Sequence, residues 1–101
     1  MDNGFIVLHR KLLKWGWLQK PEMVSLFIYL LLSANHEQNE WQGIKINRGQ
    51  LITGRNILSK TLGLPVQSIR TCLIRLKSTN EITIKSTNKF SIFTIVIYID
   101  Y

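Results

Sequence analysis

Residues 62–85, LGLPVQSIRTCLIRLKSTNEITIK, decide the fold. Within them Val66, Ile69, Leu73 and Leu76 follow at intervals of three, four and three, which marks one face of a helix. Pro65 stands at the helix entrance, where a missing backbone N–H costs nothing. Gly63, two residues earlier, suits the left-handed end of a preceding helix. The helix face opposite the apolar stripe carries Gln67, Arg70, Thr71, Ile74 and Lys77, with Ser68 and Arg75 at its edges. Ser78-Thr79-Asn80 breaks the helix, after which Ile82 and Ile84 alternate with Thr83 and Lys85 as a strand.

Working upstream, Ile57, Leu58 and Leu62 predict a short helix with these three residues facing inward, capped at Thr53 or Gly54. Ile44 and Ile46 flank Lys45 in a brief strand before a turn at Arg48-Gly49, and residues 35–43, NHEQNEWQG, read as a polar loop containing Trp41. Pro21 opens a long helix whose inner face is Met23, Leu26, Phe27, Leu30 and Leu31, widened by Ile28 and Leu32. Phe5, Leu8, Leu12, Trp15 and Leu18 predict a first helix over 5–18, although Trp15 and Trp17 cannot both face one side of a regular helix. Downstream, residues 86–89 (STNK) are turn chemistry. Residues 90–101 (FSIFTIVIYIDY) read as a long strand paired antiparallel to 82–85.

A chain of 101 residues is one domain's worth, and 46% apolar composition with two prolines excludes a disordered tail. The longest apolar run, residues 26–32, is far short of the about 20 residues a membrane span needs, and no signal peptide pattern opens the chain, so the reading is a soluble, cytoplasmic protein with no membrane partner. The net charge of +7 is unevenly placed. Residues 1–44 are neutral. Residues 45–89 set Lys45, Arg48, Arg55, Lys60, Arg70, Arg75, Lys77, Lys85 and Lys89 against Glu81 alone, a local +8, and Asp100 returns the sum to +7. A basic segment without matching acids is expected where a polyanion docks, because each neutralised phosphate releases counterions.

Helix, helix, short strand, helix, tight turn, helix, β-hairpin is the order of a winged helix-turn-helix, an α+β fold with about four helices. It spans the single domain 1–101: a helical part over 5–35, the helix-turn-helix over 53–79 and the wing over 81–101. The basic segment coincides with the half of that fold that meets DNA. Candidate DNA contacts are therefore Gln67, Ser68, Arg70 and Thr71, with Val66 and Ile74 placed to meet a thymine methyl or a second protein copy. Arg75 and Lys77 are placed to meet phosphates, as are Arg55 in the first turn of the preceding helix and Lys85 and Lys89 bracketing the wing tip.

Nothing in the chain supports catalysis. Cys72 lies beside the apolar stripe with no local His or Asp, and reads as a small core residue. His9 and His36 stand in different elements, so no metal set is expected, and no glycine-rich phosphate loop or nucleophile elbow is present to hold a cofactor or a nucleophile.

With LHRKLLKWGW, LFIYLLLSANHEQNEWQGI, RGQLITGR and LGLPVQSIRTCLIRLKSTNEITIKSTNKF in order over nearly the whole length, the chain resembles the N-terminal winged-helix domain of phage replisome-organiser and DnaD-type primosomal replication proteins. The pattern LGL-x-x-x-x-I-R-x-x-L-x-x-L is also similar to GntR-type transcription regulators. The resemblance implies a DNA-binding module that self-associates during replication initiation or restart and works with replication proteins such as a helicase or helicase loader. From the regulators it carries base contacts over to Val66, Gln67 and Arg70. Three positions depart from these patterns: Gly54 stands where serine is common, and Pro65 and Val66 replace polar residues that regulators use to grip DNA. Longer members continue into a helical C-terminal domain, so the chain reads as a truncated or stand-alone recognition module.

Overall fold

In a computed structural model that describes residue 8, residues 10–35 and residues 37–96, three α-helices pack against two small antiparallel sheets. Helix α1 (Pro21–Ser33) starts on its proline and buries Met23, Leu26, Phe27, Leu30 and Leu31 completely. Leu32, expected to widen this face, is 58% exposed, because it falls a quarter-turn outside the buried stripe. Helix α2 (Arg55–Leu62) follows an extended Gly54 with no side-chain cap. It ends on Gly63 at φ 70°, where the Leu64 N–H donates to the Ser59 carbonyl at 3.2 Å. Only Leu58 is fully buried in α2; Ile57, expected to face inward, is 57% exposed. Helix α3 (Val66–Ser78) buries Ile69, Leu73 and Leu76 of the expected stripe, with Cys72 beside them, whereas Val66, the first residue of that stripe, is 41% exposed at the start of the helix. Its end is a Schellman cap: Asn80 takes φ 64°, and the Glu81 and Asn80 N–H groups donate to the Leu76 and Lys77 carbonyls.

Among the described residues the count of about four helices is corrected to three. In place of a helix over 5–18, the described residues hold a five-residue 3-10 stretch, Arg10–Lys14; residues 5–7 and 9 lie outside them. Consecutive three-residue turns carry the chain from there to α1, with N–H groups of Trp15, Leu18 and Lys20 donating to the carbonyls of Leu12, Trp15 and Trp17. Tighter winding lets both tryptophans face the interior. Trp15 packs on Phe27 with ring centroids 4.9 Å apart, and Trp17 lies against α3.

Strands β1 (Asn39–Trp41) and β2 (Ile44–Ile46) form a hairpin, so the segment 35–43 is not all loop as expected. Its two-residue connection, Gln42-Gly43, holds both residues at positive φ, 48° and 79°, the geometry that matches strand twist. Strands β3 (Gln50–Ile52), β4 (Ile82–Ser86) and β5 (Ser91–Ile95) make the second sheet in the order β3-β5-β4. The pairing of 82–85 with the last strand is as expected, with Ile84 opposite Phe93, and β3 is an additional strand on its other side. The long strand expected over 90–101 is five residues, closing in a turn at Val96; residues 97–101 lie outside the described part. One face of this sheet, through Leu51, Ile82, Phe93 and Ile95, completes the core beneath the three helices.

Candidate nucleic-acid interface

Helix α3 has two flanks beside its buried stripe, because successive residues turn about 100°. Val66, Arg70 and Lys77 lie on the flank next to the β4–β5 hairpin, Ser68, Thr71 and Arg75 on the flank next to α1, and Gln67 and Ile74 outermost between them. Arg70 and Lys77 of the hairpin-side flank, with Leu73 and Ile74, form one wall of a groove of about 260 Å³ whose other walls are Arg55 at the start of α2 and the Ile84, Ser86, Ser91 and Phe93 face of the hairpin. Three cations thus share this groove, and no carboxylate is among its described lining residues. Without an anion their like charges repel; an incoming phosphate meets guanidinium and ammonium donors at once. The Ser86 and Ser91 hydroxyls, 2.8 Å apart, add a polar edge.

Strand alternation explains which hairpin residues take part. Ile82, Ile84 and Ser86 project toward the helices while Thr83 and Lys85 project from the opposite face, so Lys85 is exposed on the far side of the sheet from the groove. Lys89 stands at the hairpin tip, which is locked locally: the Thr87 hydroxyl accepts from the Lys89 and Phe90 N–H groups, both at 3.2 Å, and the Thr87 N–H donates to the Phe90 carbonyl at 2.8 Å. Phe90 in turn meets Trp41 of β1 edge-to-face, with centroids 5.3 Å apart and rings inclined at 74°. This contact braces the tip against the first hairpin. Between them opens a second, larger recess of about 690 Å³ that holds Arg55, Val66 and Lys89 in its wall and shares Gly54, Arg55 and Ser91 with the groove.

Of the remaining sequence-derived candidates, Ser68, Thr71 and Arg75 turn to the α1 side, and Gln67 stands between the two flanks. Gln67, Ser68, Thr71 and Arg75 line a shallow depression of about 170 Å³ with Cys72 and Glu22 of α1. Thr71 spends its hydroxyl proton on the Gln67 carbonyl at 3.1 Å. The Arg75 guanidinium lies over the Trp17 ring, 5.5 Å from its centroid, and Trp17 Nε1 donates to the Thr79 hydroxyl at 3.0 Å, which also contacts the Glu81 carboxylate. Arg75 therefore fastens α3 to the N-terminal segment. Cys72 is 1% exposed, and burial pushes its thiol above the ordinary range; Glu22 adds to that effect and Arg75 works against it.

Trp41, Phe90 and the two serines were not among the expected contacts. Phe90 directly after a turn tetrapeptide, and a tryptophan inside an otherwise polar segment, are the signals that mark them. Among the described residues no three His, Cys, Asp or Glu side chains gather as a metal site, and no helix is long and apolar enough to cross a membrane. Comparison with protein-family models, curated proteins and solved structures finds no match to this chain.

Proposed function

We propose that this chain is a non-enzymatic, winged-helix module that binds duplex DNA. The observation that carries the reading is the joining of Arg55, Arg70 and Lys77 on one groove between α3 and the hairpin, with no carboxylate among its described lining residues, continued by Lys89 at the hairpin tip. The turn at Gly63 between α2 and α3, and the antiparallel sheet behind them, support a helix-turn-helix with β4–β5 as its wing. Helix α3, about 20 Å long, enters the major groove with Gln67, Arg70 and Ile74 toward base edges. Arg55, Lys77 and Lys89 meet phosphates. A role in replication initiation of a phage or mobile element, with self-association and a helicase or helicase loader as partner, rests on the resemblance of RGQLITGR and of residues 62–85 to replisome-organiser and DnaD-type proteins.

Fluorescence anisotropy with a labelled blunt duplex over a salt series tests the reading. Three phosphate contacts give a log–log salt slope of about −2.7, and Arg55→Ala with Lys77→Ala flattens it by about 1.8. Absence of binding at low salt, or binding indifferent to salt, overturns it. A GntR-like transcription regulator is distinguished by selection from a random duplex pool, since it returns a motif preferred by about 10³ or more over random DNA.

A further inference from the structure

The recess beyond Arg55 has a composition that a duplex-binding groove does not need. Its walls combine two aromatic rings, Trp41 and Phe90, with the Arg55 and Lys89 cations and the uncapped start of α2 at Gly54. Trp41 and Phe90 are half-buried, and a near-perpendicular pair covers only one of its four ring faces, so flat aromatic surface remains uncovered by the pair itself. Ile57 and Val66, 57% and 41% exposed, extend the apolar wall. The volume of about 690 Å³ falls within the range of about 300–1,000 Å³ typical of small-ligand sites. Aromatic wall, cations and a helix N-terminus on one concavity are the donor set for a base beside its phosphate, and a purely apolar protein segment would leave the cations and the helix end unmatched.

We propose that this recess is a site for an unpaired nucleotide of DNA: the base lies against Trp41 and Phe90, and its phosphate is held by Arg55, Lys89 and the start of α2. Continuity supports this occupant. Because the recess and the groove share Gly54, Arg55 and Ser91, a strand leaving the groove passes its next phosphate to Arg55 and its next base into the recess. The module then prefers duplex ends or bubbles carrying unpaired bases over continuous duplex. The inference rests on the duplex-binding reading for its path, while the site has its own readout.

Anisotropy compares a blunt duplex, the same duplex with a short unpaired oligo-dT tail on either strand, and the oligo-dT alone. A tail on one strand is expected to tighten binding about tenfold, the gain of stacking one base. Trp41→Leu is expected to abolish that gain while keeping the blunt-duplex affinity. Since Trp41 also braces the hairpin, a second measurement uses wild-type protein: a 5-iododeoxyuridine tail is photo-crosslinked and the attached peptide mapped, with attachment at Trp41 or Phe90 expected. Blunt-duplex binding with no gain from either tail, or a crosslink mapping elsewhere, overturns the nucleotide site and leaves the duplex reading intact. Crosslinking at Trp41 or Phe90 by a tailed oligonucleotide, with no blunt-duplex binding, overturns the duplex reading and keeps the site.

Discussion

The Arg75 guanidinium carbon sits 5.5 Å from the centre of the Trp17 ring, and this stacking ties the third helix to the N-terminal segment. The Trp17 indole N–H reaches past it to the Thr79 hydroxyl, 62 residues along the chain. Arg75 is therefore a structural cation, whereas Arg70 and Lys77 open onto the groove. Arg75→Ala is expected to lower unfolding free energy by about 1 kcal/mol through the lost cation–π contact and packing. Arg70→Ala is expected to change it by less than about 0.5 kcal/mol. Urea unfolding of both variants, beside their affinities for duplex DNA, separates the two roles.

Cys72 gives a pH signature whose sign follows from its burial. The folded protein holds the thiol above its ordinary range, while the unfolded chain releases the proton at the ordinary value. This contribution to stability is fully present below the unfolded thiol's range and is lost as pH rises through it toward the folded value. The loss runs at up to about 1.4 kcal/mol per pH unit. Unfolding curves of the wild type and Cys72→Ala between neutral pH and pH about 10 isolate the term, since Lys and Tyr titrations are common to both. The native thiol is also expected to react with a thiol reagent only at the rate of unfolding.

The helix α3 and the strand β4 are legible in sequence because each has one buried face at a single clear period, and Gly63 and Ser78-Thr79-Asn80 punctuate them. Strand β2 is legible from Ile44 and Ile46 either side of Lys45, but its partner β1 is not, since it is three residues long, buries none of them fully, and joins β2 through Gln42-Gly43 rather than the familiar Asn-Gly. Ile57 misleads because an exposed apolar residue beside Leu58 has the same spacing as a buried one. At the site, the cations on α2 and α3 are legible from charge alone. The diversion of Arg75 is not, because the Trp17 ring that holds it falls off the Leu12, Trp15 and Leu18 spacing and is carried against α3 by consecutive three-residue turns.

Gly63 joins the two helices that carry the groove, and it takes φ 70°, where a Cβ is disfavoured. A methyl group there meets no atom within 4 Å, so the cost of Gly63→Ala is backbone conformation alone. About 1–2 kcal/mol of stability is expected to be lost, and Gly63→Asn, which tolerates this conformation better, loses less. Thermal melts of the pair check the order. A cost above that range means that the turn between α2 and α3 cannot absorb a side chain at all.

The hairpin discriminates between two lysines that look equivalent in sequence. Lys85 follows Ile84 in a strand whose even-numbered side chains face the helices, so it projects from the other face of the sheet, opposite Ile92 in register. Lys89 lies in the Thr87-locked tip and in the wall of the recess beside Arg55. Under the duplex-binding reading, Lys89→Ala is expected to weaken binding at low salt about fivefold and to flatten the salt slope by about 0.9, while Lys85→Ala changes neither. Equal losses at both positions require DNA to lie over the far face of the sheet. That outcome moves the interface away from the α3 groove, because one straight duplex cannot lie on both faces of a three-stranded sheet at once.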